Sequence, residues 1–145
     1  MDELDYNELR IPLSRGKKLA NEAKDIVRNT VRVNKETEDK ISFTYRGFYG
    51  QAVFFDMFAI VPIHISKKLP YPVTDDDYEL AKTVTDSTHR HQGVLEINTI
   101  RNTCSAGGLL FLEPEFTEEM LLSVLNDCVD NLKDFFKEYN RQKSV

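Results

Sequence analysis

His89 and His91, the run Asp75-Asp76-Asp77, the pair Glu113 and Glu115, and Cys104 are the residues whose types and spacing invite a chemical reading. Two histidines two apart can grip one ion from a strand, where they share a face. On a helix they diverge by about 200°. The pattern places them in the last turn of a helix, where with Arg90 they complement the negative end of the dipole. The third histidine, His64, sits among apolar strand residues and reads as a satisfied, half-buried side chain. Asp75-Asp76-Asp77 follows Thr74, and a hydroxyl cap followed by three carboxylates is a helix start that needs no cation. Glu113 and Glu115 precede a normal helix entry and show no acid/base partner. Cys104, beside Ser105 in a stretch that reads as polar loop, requires a spatially adjacent base to act as a nucleophile, and only the histidines offer one. Gly107-Gly108 leads into a strand and lacks the Lys-Ser/Thr of a phosphate cradle. These readings assign no catalytic, cofactor-binding or metal-ligating residue.

The elements that must position these residues follow from periodicity. Ser14 reads as the cap of a first helix whose face carries Leu19, Ala23, Ile26, Val27 and Thr30, ending near Val33. Gly16 weakens its first turn by about 1 kcal/mol relative to Ala. Residues 34–40 read as loop. The period then changes to two: Ile41, Phe43 and Tyr45 alternate with Ser42 and Thr44. A hairpin connection through Gly47 and Gly50 leads to a return strand over 51–55. A third strand, 58–65, contains Pro62, which cannot donate to a ladder and so predicts a sheet edge or a bulge. A helix from Asp75 to about Gly93 follows, then strands over 94–100 and 108–112 joined by a polar loop at 101–107. Last comes a long amphipathic helix from Thr117, with Leu121, Leu125, Cys128, Leu132, Phe135 and Tyr139 alternating by four and three. The predicted order is α-β-β-β-α-β-β-α, an α+β fold with a mainly antiparallel five-stranded sheet covered by helices. Residues 1–13 read as a poorly anchored lead-in, 14–140 as one domain and 141–145 as a tail.

The 145 residues carry a net charge of −5, which argues against general nucleic-acid binding. Residues 15–40 locally hold eight Lys/Arg against five acidic residues, which reads as the solvated face of the first helix, with a docking patch for an acidic partner as the alternative. The aromatics of 43–58 lack the basic surroundings of an RNA-stacking sheet and read as core. No apolar run approaches the roughly 18 residues of a membrane span, and the acidic start Met1-Asp2-Glu3 does not resemble a signal peptide. The two cysteines, Cys104 and Cys128, are expected as free thiols in a reducing cytoplasm.

Three stretches also carry a resemblance. They are Ile41-Ser42-Phe43-Thr44-Tyr45-Arg46-Gly47 before an apolar strand, the central helix from Asp75 leading into 94–100, and Leu110-Phe111-Leu112-Glu113-Pro114-Glu115 before the final helix. Together, over residues 14 to 140, they resemble the YbjN-like, type III secretion chaperone-like proteins of bacteria. The resemblance implies a small, cytoplasmic, often dimeric α+β domain that binds other proteins and has no catalytic residues to carry over. The expectation is a non-enzymatic, chaperone-like or regulatory module that holds another polypeptide on its sheet face, edge or groove. Contacts are expected at Phe48, Tyr49, Phe58, Ile60 and Ile63, with a homodimer through residues 75–91. No cofactor, nucleic acid or membrane is expected as a partner. The competing expectation is a small-molecule or metal-binding protein, or a minor enzyme built on Cys104 and the histidines. It requires two of Cys104, His64, His89, His91, Glu113 and Glu115 to converge in one pocket.

Overall fold

The alternation that begins at Ile41 forms the second strand of a six-stranded sheet. The structure, a computed structural model, describes residues 10–88, 90, 92–113 and 115–144. The elements run α1 (Leu13–Thr30), β1 (Arg32–Glu36), β2 (Lys40–Tyr45), β3 (Phe48–Val53), β4 (Ile60–Lys68), α2 (Asp75–Ser87), β5 (Val94–Asn98), β6 (Thr103–Phe111) and α3 (Glu118–Lys143). The strands lie in the spatial order β1-β2-β3-β4-β6-β5 and every pairing is antiparallel. The fold is therefore α+β as expected, with six strands where periodicity predicts five.

The extra strand is β1. Local pattern reads its residues as a helix end and a loop, because Arg-Val-Asn-Lys-Glu is largely polar and exposed throughout. Pairing with β2, not local propensity, makes it a strand. The β2–β3 hairpin closes through Arg46 and Gly47, both at positive φ (49° and 85°), the signature of a two-residue primed turn. Tyr45 Oη and Arg46 Nη1 both donate to Asn126 Oδ1 on α3, at 2.7 and 3.2 Å, and tie the hairpin to the helix layer.

The expectation of an edge or a bulge at Pro62 is overturned. β4 lies between β3 and β6, and its register with β6 runs unbroken from Ile60 opposite Phe111 to Lys68 opposite Thr103. Proline is accommodated because the β3 partners end at Ile63, leaving β6 alone beside it. The predicted loop at 101–107 is likewise corrected: β6 starts at Thr103 and pairs on both sides.

All three helices pack on one face of the sheet. The stripe Leu121, Leu125, Cys128, Leu132, Phe135 and Tyr139 of α3 is buried, against a sheet face that includes Phe43, Ile65, Ala106 and Leu95. α3 continues through residues 141–143, where the sequence predicts a tail. Thr117 caps it, accepting the Met120 N–H at 3.2 Å. α2 begins as expected: the buried Asp77 carboxylate accepts the Thr74 N–H at 2.9 Å, while Asp75 and Asp76 stay exposed. It stops at Ser87, short of Gly93. α1 begins at Leu13, with Pro12 rather than Ser14 at its cap. Gly16 is required by packing: a Cβ there would stand 1.6 Å from the Asp56 carbonyl oxygen. In the lead-in, the Ile11 N–H donates to the Met57 carbonyl at 2.9 Å.

Candidate functional site

Residues directly opposed across an antiparallel pair point to the same side of the sheet, so the register sorts every strand residue by face. One row away from the helices reads Arg32, Thr44, Tyr49, Ser66, Ser105, Glu96. The next reads Lys35, Ser42, Gln51, His64, Gly107, Val94. Lys68, Thr103 and Asn98 begin a third. No described helix covers these rows. They form a bare, polar face across all six strands, the candidate functional site.

The face is concave where its side chains are smallest. Ser66 and Ser105 form a floor between Tyr49 on one side and Glu96, Asn98 and Arg101 on the other, enclosing about 590 Å³. Tyr49 is 47% exposed. His64 lies half-buried in the concavity, and burial, followed by the nearby Arg101 charge, lowers its pKa; Glu96 opposes the shift. Its imidazole is thus neutral at neutral pH, offering one donor and one acceptor. No hydrogen bond joins it to Ser66 or Ser105 among the described residues. The face can present hydroxyls, amides, a ring and cations to a bound chain.

The edges behave differently. β1 has a bulge between Val33 and Lys35, and Asn34 Nδ2 donates to Thr44 Oγ1 at 2.9 Å; bulge and charges blunt this edge. At the other edge, β5 runs beside α2 with a groove of about 480 Å³ between them. The Leu95 N–H, which faces away from β6, is taken by Thr85 Oγ1 at 3.1 Å, so α2 covers part of that edge.

The expected contact residues separate by burial. Tyr49 is on the bare face. Ile60 and Ile63, 1% and 2% exposed, are interior, and Phe48 is nearly so at 8%. Phe58 is half-buried, its ring edge-on to Phe55. Because β4 is central, strand addition at 58–65 is not open to a partner. The outer side of α2, the expected dimer surface, carries Asp75, Asp76, Glu79 and Asp86 with Lys82.

Among the described residues, those whose types invite chemistry do not gather. Cys104 and His64 lie on opposite faces of the sheet, and Cys104 is fully buried. Burial pushes the thiols of Cys104 and Cys128 up to about 12, far from a reactive thiolate. Glu113 pairs with Arg15 at 2.6 Å, and Glu115 is exposed before α3. His89 and His91 lie outside the described residues. Among the described residues no three His, Cys, Asp or Glu side chains could hold a metal ion.

The signal for this face that periodicity alone obscures lies in β4. Pro62, His64, Ser66 and Lys68 alternate with Val61, Ile63, Ile65 and Lys67, a period of two hidden when the stretch is taken as continuously apolar.

No protein-family model, curated protein or solved structure matches this chain.

Proposed function

We propose that this domain is a non-enzymatic module that binds another polypeptide across the bare face of its sheet. The observation that carries the reading is the segregation of the helices to one side, leaving a six-stranded polar face with a concave centre. The separation of Cys104, His64 and Glu113 counts against the enzymatic alternative. Kinship with the YbjN-like and secretion chaperone-like proteins is part of this proposal and rests on the three sequence stretches that carry the resemblance. Among the described residues no helix is long and apolar enough to cross a membrane.

A small molecule is the second reading, since the concavity falls in the volume range of ligand pockets. The concavity is open and its floor of Ser66 and Ser105 is polar, which favours an extended chain over an enclosed ligand.

The test is selection from a peptide display library, repeated with Ser105→Trp and Tyr49→Ala. Filling the floor or removing the ring is expected to abolish capture, while Lys133→Ala on α3 leaves it unchanged. Peptides that bind the variants and the wild type equally would sink the proposal. A metabolite held in the concavity without any peptide would favour the second reading.

A further inference from the structure

We infer that the polypeptide taken up by the bare face is an extended segment rich in Asp and Glu, a conclusion that rests on the reading just proposed. The charge distribution carries it. The chain as a whole is acidic, at −5. Yet the bare face presents Arg32, Lys35, Lys40 and Lys68, with Arg101 at the β5–β6 turn lining its concavity, against Glu96. All five cations are exposed.

None of the five forms a salt bridge among the described residues. Every described salt bridge instead involves a helix residue: Arg15 with Glu113, Arg28 with Asp25 and Glu36, Arg90 with Asp130 and Asp134, Arg141 with Glu138, and Lys143 with Asp77. The helix layer thus satisfies many of its own charges, and the bare face leaves its cations for another molecule.

The geometry suits a chain crossing the strands. Six strands spaced about 4.8 Å apart make a face about 24 Å wide, the reach of roughly eight extended residues. Such a segment can meet Arg32, Lys35 and Lys40 at one end and Lys68 and Arg101 at the other, with Tyr49 and His64 between. Screening confines these attractions to about 8 Å at physiological salt, so the local cations act on a docked chain despite the net charge. A nucleic acid fits less well. Its affinity needs a basic long-range field and successive stacking rings, whereas the central rows of this face offer Tyr49 and His64 alone.

The experiment uses the full chain and fluorescence anisotropy with four labelled probes. They are an eight-residue Glu/Leu peptide, its Gln/Leu and Lys/Leu counterparts, and a single-stranded oligonucleotide. The acidic peptide is expected to bind about tenfold more tightly than the Gln counterpart. The advantage should vanish in Lys68→Glu/Arg101→Glu and at high salt, with Lys68→Gln/Arg101→Gln giving a smaller loss should the reversed pair fail to fold. Equal binding of the acidic and Gln peptides would overturn the inference while leaving polypeptide binding intact. Tighter binding of the oligonucleotide would overturn it in favour of nucleic acid. Self-association abolished by the same variants, with no peptide bound, would overturn it by assigning the face to the acidic α2 surface of a second copy. Failure of every peptide, together with failure of the library selection, would remove the underlying reading as well.

Discussion

Ser66 and Ser105 stand directly opposite each other on β4 and β6, with both side chains on the bare face. Neither is the residue a strand prefers, because serine lacks the β-branch that packs along a pleated surface. Converting both to threonine should stabilise the domain by about 0.2–1 kcal/mol through a better cross-strand pair. Urea denaturation measures it, and a lower midpoint would show that the two positions are constrained by more than sheet formation.

Gly16 should respond against helix propensity. In an open helix Gly→Ala adds about 1 kcal/mol of stability. Here the new Cβ meets the Asp56 carbonyl oxygen at 1.6 Å, so α1 must move away from the β3–β4 connection. Gly16→Ala should therefore lose about 1–3 kcal/mol or fail to fold. A raised thermal midpoint would refute the contact.

The cysteines should be chemically silent in the native state. Cys104 and Cys128 are both 0% exposed, and burial raises each thiol to about 12 from an ordinary value of 9.0. Thiol-exchange reagents at pH 8 should label neither until denaturant is added. The linkage has a definite sign. Between pH 9 and about 12 the folded state holds protons that the unfolded state releases, so the stability is full below pH 9 and is lost as pH rises. Fast native labelling, or a stability flat through that range, would contradict the burial.

His64 should titrate below its ordinary value of 6.5. The groups that face it are Arg101 from the β5–β6 turn, Glu96 from β5, Tyr49 and Gln51 from β3 and Lys68 along β4; β6 contributes only Ser105 and Gly107. Ring resonances followed by NMR should show the midpoint rising in Arg101→Gln and falling further in Glu96→Gln. A depressed folded pKa means that the unfolded chain takes up more protons. This contribution to stability is therefore complete above pH 6.5 and declines as pH falls below it, levelling out beneath the folded midpoint. A midpoint indifferent to both substitutions would mean that the charges do not reach the ring.

Local chemistry makes several elements legible in the amino-acid sequence by itself. The four-and-three spacing from Leu121 to Tyr139 is visible in a window of a few turns, and it marks the face of α3 that is buried. Thr74 with Asp77, and the alternation from Ile41, are equally local, whereas the sequence places the hairpin connection across Gly47 and Gly50 and the structure closes it at Arg46-Gly47, with Gly50 inside β3. What the tertiary structure decided was non-local. β1 is a strand because β2 pairs with it, β6 extends back to Thr103 because β4 and β5 flank it, and Pro62 sits in a central strand because β3 stops at Ile63. The candidate site belongs to this second class. His64, Ser66, Ser105, Glu96 and Arg101 come from separate segments, and only strand pairing in a fixed register sets their side chains on one face while sending Cys104 to the other.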